Sequence, residues 1–261
     1  MTGSERSVRF DISEGVAELV LNRPAQLNAM TPEMVDQINA AVEQARDSAR
    51  VLLVSATGRG FSAGRDIAGA DPGAEDGGQV LTEIFNPMLQ RVADLPFPTI
   101  AAVHGACLGV GLGLALACDV IFAAADAKFG SPFNKIGAVL DSGAHKVFVE
   151  RLGAAVTLDL IYSGRFLSGT EAAAAGLVSR AVPTPELAET ALDYARGLAQ
   201  GPALAFAESK RLVREINDNP VTLARCLELE AGAQSRSSAT RDYVEGFTAF
   251  LQRRQPTFTG A

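Results

Sequence analysis

The chain has 261 residues, 48% of them hydrophobic, and its formal net charge of −7 gives a pI of about 5.0. This length and apolar content suit one large domain, or one domain with an appendage, around a buried core. The acidic balance and the lack of a basic stripe argue against nucleic acid as a partner.

Cysteine usage and the N-terminal segment bear on the compartment. Three cysteines, two of them inside apolar runs, favour a reducing environment over a disulfide framework, and no Cys/His spacing is typical of a zinc site. The segment MTGSERSVRF is polar and lacks the apolar core of a signal peptide. We therefore expect a cytoplasmic protein that holds no metal.

The first elements in chain order are two strands, a helix and a third strand. The run SVRFDISEGVAELVLN alternates apolar residues on both sides of Glu14-Gly15, which predicts two strands and a turn. Thr31-Pro32-Glu33 is typical of a helix start, and the apolar residues that follow fall on one helical face. VLLVSA, at 51–56, then predicts a short buried strand.

A Gly-, Ala-, Asp- and Pro-rich segment from Gly64 to Gly78 predicts a mobile loop, which a helix over about Val80 to Asp94 follows. Helical patterns dominate after Gly143: 146–152, 154–162, 170–176, 186–199, 202–217, from 221 onwards, and 241–253. Strands mixed with helices, followed by helices alone, indicate an α/β core with a helical C-terminal extension.

The stretch from Pro98 to Gly143 is the most informative. A buried strand, TIAAV, leads through His104-Gly105 into a glycine-spaced segment, Gly109-Val110-Gly111-Leu112-Gly113, and a second apolar run, VIFAAA. Glycines at a strand-to-helix junction let a ligand approach the backbone, and the N–H groups at the helix start can bind an anion or oxyanion. His104 and Asp119 interrupt the apolar run from 99 to 125, so we expect no membrane span there.

Three other motifs have weaker support. Gly60-Phe61-Ser62-Ala63-Gly64 matches the G-x-S-x-G nucleophile elbow, but a Gly/Asp/Pro loop follows it where that motif needs a helix. The glycines at 109, 111 and 113 do not complete G-x-G-x-x-G, so a dinucleotide site is not predicted. His104 follows a buried strand, where a histidine is more often a hydrogen-bonded core residue than a catalyst.

Asp141 has two interpretations. It stands before a predicted helix, where Asp and Ser are common N-caps, and the pattern alone favours that structural role. It also follows Val139 and Leu140, and apolar surroundings would raise its pKa and suit it to proton transfer.

Several segments together resemble the crotonase (enoyl-CoA hydratase/isomerase) family. They are LNRPAQLNAM, GRGFSAGRDI, AAVHGACLGVGLGLALACDVIFAAADAKFGSP and EGFTAFLQRRQPTF, and they cover nearly the whole chain in the family's order. The resemblance implies a crotonase-like core of stacked ββα units over residues 1–200 and a helical region over 201–261 for trimerisation. It also implies a homotrimer, or a dimer of trimers, that acts on acyl-CoA thioesters, with coenzyme A as part of the substrate and no separate cofactor.

The resemblance carries site residues with it. The family's two oxyanion donors map onto the backbone N–H groups of Arg65 and Val110, and Arg253 of a neighbouring subunit could meet phosphates together with Arg23. The remaining positions that the resemblance assigns to substrate binding are Gln26, Leu27, Ala63, Asp66, Ile67, Gly109, Gly113, Pro132, Phe133 and Leu140.

The chain departs from the hydratases of that family at two positions. Their two glutamates align with Gly113 and Phe133, neither of which can activate water or protonate carbon. Asp141 falls where certain isomerases and ring-opening relatives carry a catalytic aspartate, and FNKIGAVLDSG resembles their segment. The resemblance therefore implies an enoyl-CoA isomerase with Asp141 as the base. The alternatives are an enoyl-CoA hydratase of fatty-acid β-oxidation and a non-catalytic acyl-CoA binder.

Overall fold

The computed structural model describes residues 6–68, 70–71 and 73–261. The strands of this described part are, in chain order, β1 (Val8–Ser13), β2 (Val16–Leu21), β3 (Val51–Ala56), β4 (Thr99–Val103), β5 (Ala106–Leu108), β6 (Val120–Ala124), β7 (Lys128–Gly130), β8 (Leu167–Ser168) and β9 (Arg180–Val182). The helices are α1 (Pro32–Ser48), α2 (Gly77–Val80), α3 (Asn86–Ala93), α4 (Val110–Leu116), α5 (Ala144–Leu152), α6 (Ala154–Ser163), α7 (Gly169–Ala174), α8 (Leu187–Ala199), α9 (Ala203–Asp218), α10 (Leu223–Ser238) and α11 (Arg241–Gln252).

The larger sheet has six strands in the order β1-β2-β3-β4-β6-β9. Strands β1 and β2 are antiparallel, and every other neighbouring pair is parallel. All five residues of β4 and the first four of β3 are buried, as expected for central parallel strands covered on both faces. Helices α1 and α8 supply part of that cover, since α8 packs on β3 and β4 and α1 packs on β1 and β2.

The smaller sheet joins β5, β7 and β8. The sequence did not predict it, because strands of two or three residues are too short to show an alternating pattern. It changes the predicted junction after TIAAV. The chain leaves β4, forms β5, and only then enters α4 at Val110.

Most of the predicted elements are confirmed. The turn at Glu14-Gly15 joins β1 to β2, and the Thr31 hydroxyl caps α1 by accepting from the Met34 N–H at 3.2 Å. The helix predicted from Val80 begins earlier, at Gly77, because the Asp76 carboxylate caps the N–H groups of Gly78 and Gln79. A π-helical turn, Leu81–Phe85, joins α2 to α3. In the loop from Gly64 to Gly78, the positions 69 and 72 lie outside the described residues.

The C-terminal helices lie on the outside of this core. Helix α9 has no buried residue and packs against α10. Lys210 ties α9 to the core through the Asp119 carboxylate at 2.6 Å and the Phe97 carbonyl at 2.9 Å. Strand β9 is the last strand, and only helices follow it from α8 onwards; the division of the chain at residue 200 stays a prediction.

The apolar run from 99 to 125 is divided among β4, β5, α4 and β6. In the part of the chain that the structure describes, no helix combines the length and the apolar character that crossing a membrane requires.

Candidate active site

The backbone N–H of Arg65 is left out of the pairing that surrounds it. Met30 donates to the Gly64 carbonyl at 2.8 Å, and the Asp66 N–H donates to the Met30 carbonyl at 2.9 Å. In this parallel bridge the pairing groups of the second strand belong to residues 64 and 66, so the amide of Arg65 faces away from Met30. The Arg65 side chain is held separately, by an ion pair with Glu75. The N–H is therefore available to a ligand while its own side chain is tied down elsewhere.

Val110 supplies a second available N–H. It is the first residue of α4, and the first N–H groups of a helix have no partner within the helix. Gly109 precedes it with φ 51° and ψ −129°, a conformation that side chains exclude, and its N–H donates to the Ser131 hydroxyl at 3.1 Å. The glycine thus turns the chain so that the Val110 N–H lies at the positive end of the helix dipole.

A second bridge brings these two amides together. The Ser62 N–H donates to the Ala106 carbonyl at 2.9 Å, and the Leu108 N–H donates to the Ser62 carbonyl at 3.0 Å. This isolated parallel bridge sets Ser62 opposite Cys107, and beyond it a Cβ on Gly64 would lie 3.5 Å from the Gly109 Cα, so the residues that precede Arg65 and Val110 are neighbours. The same Cβ would lie 3.1 Å from the Leu108 carbonyl oxygen. Two unpaired donors side by side can stabilise one oxygen that gains negative charge.

Ser62 itself is not a nucleophile of the elbow type. It is fully buried, its hydroxyl donates to the Asn28 carbonyl at 2.8 Å, and the same oxygen accepts from the Gly64 N–H at 3.2 Å. Its side chain therefore fixes the loop that carries Arg65.

The carboxyl of Asp141 does not cap a helix, so the interpretation that the pattern alone favoured is wrong. Helix α5 begins at Ala144 with Gly143 at its N-cap, and no side chain caps it. Asp141 is half-buried, and its Oδ1 is sealed from solvent without a hydrogen-bond partner among the described residues. Burial raises the pKa of this carboxyl, and the nearby Ser142 hydroxyl and a protonated His145 partly oppose that rise.

Asp141 lies near the start of α4, where Val110 is, because the residue that follows it, Ser142, packs on that helix. A Cβ on Gly113 would lie 2.5 Å from the Ser142 Cβ and 2.7 Å from the Ser142 carbonyl oxygen, and real Cβ atoms do not approach so closely. Gly113 is one helical turn beyond Val110. The volume above Gly113 is therefore filled by the backbone that carries Asp141.

Phe133 adjoins both the paired amides and a cavity. A Cβ on Gly109 would lie 3.4 Å from the Phe133 Cζ, so the ring covers the glycine that turns the chain into α4. Phe133 also lines a cavity of about 260 Å³, together with apolar residues such as Leu140 and Phe148 and polar ones such as Asn134 and Arg165. Pro132 precedes the 3-10 turn Phe133–Lys135 that carries the ring. This cavity can take a small apolar group next to the amides.

The predicted coenzyme path follows the two segments around the first bridge. The Ala63 N–H donates to the Leu27 carbonyl at 2.9 Å, and Arg23 pairs with Asp66 at 2.9 Å. The Ala68 N–H and the Arg23 guanidinium hold the pKa of Asp66 below its usual range. A phosphate at Arg23 would have to compete with this pair, and the contact stays a prediction.

The other predicted positions are more open. Gln26 is exposed in the 3-10 turn Pro24–Gln26, and Ile67 is 70% exposed at the start of the loop. Arg253 lies exposed at the end of α11, in the left-handed conformation, and its predicted contact with a neighbouring subunit stays a prediction. No cluster of three or more His, Cys, Asp or Glu side chains suited to a metal occurs in the described ranges.

Known proteins resemble this chain over nearly its whole length. The family model for enoyl-CoA hydratase/isomerase matches residues 11–261. The chain belongs to the enoyl-CoA hydratase/isomerase family. It is 36% identical to a Rhodobacter capsulatus protein named "Probable enoyl-CoA hydratase", with 98% of this chain and 99% of that one covered. It is 37% identical to the Escherichia coli 1,2-epoxyphenylacetyl-CoA isomerase, with 95% and 97% covered.

Solved structures agree on the fold. The enoyl-CoA hydratase of Bacillus anthracis superposes with a TM-score of 0.89 at 28% identity, covering 98% of this chain and all of the other. The architecture described above is therefore the crotonase fold of the enoyl-CoA hydratase/isomerase family, with its helical C-terminal region.

Two residues of this family member's site escaped prediction. Ser131 accepts the Gly109 N–H, and Ser142 fills the space over Gly113. Both depend on contacts between residues 22 and 29 positions apart, which no local pattern encodes. The one local signal was that Ser142 adjoins Asp141.

Proposed function

We propose that this chain moves the double bond of an enoyl-CoA, with Asp141 as the only carboxylate that handles the proton. The carboxylate removes a proton from Cα of a 3-enoyl-CoA, and the electron pair spreads over the dienolate onto the thioester oxygen. The same proton then returns to Cγ, so that the double bond ends between Cα and Cβ. Atoms and charges balance with one group that acts first as base and then as acid.

The N–H groups of Arg65 and Val110 would hold the thioester oxygen while it is negative. Each preorganised donor of this kind is worth about 3–4 kcal/mol in the transition state. Support comes from the contact between Gly64 and Gly109, which precede the two amides, and from backbone pairing that leaves both amides without a partner among the described residues.

The observation that carries the proposal is how the space above Gly113 is filled. By the family resemblance the hydratases have a glutamate there, whereas here the Ser142 backbone leaves no room for a side chain. The second such position is Phe133, whose ring contacts Gly109 and lines a cavity of mixed apolar and polar side chains. A site with one partly buried carboxyl and an aromatic wall favours proton transfer between carbons over the activation of water.

The decisive variant is Asp141→Asn, which keeps the shape of the side chain and removes the base. We expect isomerisation of 3-enoyl-CoA to fall by about 10²–10⁴-fold. Binding of a saturated acyl-CoA should persist, because the amide donors are unchanged. Isomerisation at the wild-type rate would show that another group is the base.

The hydratase and binder alternatives give different results in the same assays. The relative named as a hydratase makes hydration of crotonyl-CoA by the wild-type chain the first measurement. Substantial hydration, with little double-bond shift, would favour a hydratase. Tight acyl-CoA binding without turnover of either substrate would favour a non-catalytic binder.

We also propose that the C-terminal helices join copies of the chain into a trimer, as the family resemblance implies. Several apolar side chains on α11 are exposed to solvent, including Phe250 at 81% and Leu251 at 79%. A mostly apolar groove of about 410 Å³ adjoins them, lined by Leu204, Tyr243 and Phe258. Light scattering on the purified protein tests this, and a monomer at micromolar concentration would contradict it.

A further inference from the structure

Two adjacent polar atoms beside the proposed base are buried without partners. They are Oδ1 of Asp141 and the hydroxyl oxygen of Ser142, and neither makes a hydrogen bond within the described residues. Buried polar atoms nearly always find a partner, and those that do not have one often mark a functional site. These two atoms are a hydroxyl donor and a carboxylate acceptor on neighbouring residues, so they are complementary.

The backbone of Ser142 adds a second, independent observation. Ser142 has φ 56°, in the left-handed region that disfavours a serine, and the residue is only 7% exposed. Glycine would relieve this backbone strain, and glycine occupies the next position. Strain of this kind persists where the surroundings fix it and is common at active sites.

Packing holds the Ser142 side chain in place. Its Cβ lies against Gly113 on α4, and the Leu89 side chain from α3 closes the same space. Only the hydroxyl is left to turn, through rotation about the Cα–Cβ bond. The hydroxyl is near enough to lower the pKa of Asp141, although it does not reach hydrogen-bond geometry with the carboxyl in this rotamer.

We propose that Ser142 is the positioning residue of Asp141: its hydroxyl donates to Oδ1 of the carboxylate and leaves Oδ2 to take the proton of the substrate. This inference rests on the proposed function, because it assigns Asp141 as the base. A donor to Oδ1 favours the charged carboxylate and fixes the side-chain rotamer, so the base is ionised and aimed before the substrate arrives.

The effects of other groups on the pKa of Asp141 must be distinguished from the effect of Ser142. A positive charge on His145, which lies on α5, would oppose the rise in the pKa of Asp141. Helix α4 has no titratable residue, and Leu89 is the side chain that α3 brings to this space. Salt screens the effect of a charge such as His145, whereas it leaves a buried hydrogen bond largely unchanged.

The test compares Ser142→Ala with Ser142→Gly. Both remove the hydroxyl, but only glycine relieves the left-handed backbone, so their stabilities should differ while their catalytic effects agree. For both, the acid limb of kcat/KM against pH should move up by about one pH unit, and the rate on the alkaline plateau should fall because the ionised base is no longer held in one rotamer. The same shift should remain at high salt.

A direct titration of the Asp141 carboxyl separates this inference from the proposed function. The carboxyl carbon, followed by ¹³C NMR against Asp141→Asn as the blank, should titrate about one pH unit higher in both Ser142 variants. That shift would support the positioning role even if the wild-type chain does not isomerise an enoyl-CoA, which would overturn only the proposed function. An unchanged titration in both variants would overturn the positioning role.

Discussion

The two halves of the candidate site are built differently. The half that would hold the thioester oxygen consists of backbone: two parallel bridges fix its register, and Gly109 turns the chain at φ 51°. The half that would move the proton consists of side chains on the segment between β7 and α5, which has no regular element beyond a 3-10 turn. Backbone amides are present whatever the side chain, so arginine and valine can occupy the donor positions. Proton transfer needs particular side chains, so a few substitutions in the second half can change the reaction.

The most direct test of the backbone half is Val110→Pro, which removes one of the two proposed N–H donors. Proline is favoured at the first position of a helix, so the substitution removes the N–H and otherwise suits α4. We expect kcat to fall by about 10²–10³-fold, the usual effect of losing one oxyanion donor. Steady-state kinetics on 3-enoyl-CoA measure this.

The matched control is Val110→Ala, which trims the same buried side chain and keeps the N–H. It should lose some stability but little of kcat. If the alanine variant loses as much kcat as the proline variant, the side chain rather than the amide matters at this position. The backbone interpretation would then be wrong.

The side-chain half is probed by Gly113→Glu, which places an acid where the family's hydratases have one. A Cβ there would lie 2.5 Å from the Ser142 Cβ, and the charge would be buried beside Asp141. We expect the free energy of unfolding to fall by about 3 kcal/mol or more, and no hydration of crotonyl-CoA to appear. Chemical denaturation and a hydration assay measure the two effects.

Gly197→Ala is the control for adding a side chain to a helical glycine. Gly197 lies within α8 and a Cβ there would meet nothing within 4 Å, so alanine should stabilise the protein by about 0.5–1 kcal/mol. A stable Gly113→Glu variant with hydratase activity would show that the segment around Ser142 moves easily. The absence of hydration in the wild type would then follow from the missing glutamate alone, and not from the way Ser142 packs on Gly113.

The two halves also differ in how far the sequence predicted them. The positions of the two backbone donors could be predicted because glycines and a helix start are local features. The resemblance also covered both segments that carry them. Asp141 was named as a candidate base through the resemblance, whereas its pattern alone favours an N-cap, and only the structure shows that Gly143 takes that position. The contact of Ser142 with Gly113 and the small sheet β5-β7-β8 depend on tertiary packing between short irregular segments. Such contacts leave no periodic signal in the chain.

The free energy of unfolding of Asp141→Asn tests how much the buried carboxylate destabilises the folded chain. Because burial raises the pKa of Asp141 above its ordinary value of 3.8, the folded chain binds this proton more tightly than the unfolded chain. The penalty is zero at low pH, where both states are protonated, and it grows as pH rises from the unfolded-state pKa through the folded-state pKa. Asparagine cannot ionise, so the variant should be more stable than the wild type at neutral pH and lose that advantage below about pH 4.

Asp66→Asn should show the opposite sign. The Ala68 N–H and Arg23 lower the pKa of Asp66, so its carboxylate stabilises the fold above the unfolded-state pKa, and this contribution disappears as pH falls through the lowered value. Its asparagine variant should therefore be less stable than the wild type at neutral pH, and the difference should shrink in acid. Denaturant unfolding of the three proteins between about pH 2 and pH 8 compares the two carboxyls directly. Equal destabilisation by both variants at neutral pH would mean that favourable contacts hold the Asp141 carboxylate, as they hold that of Asp66, and would contradict the raised pKa that the proposed reaction uses.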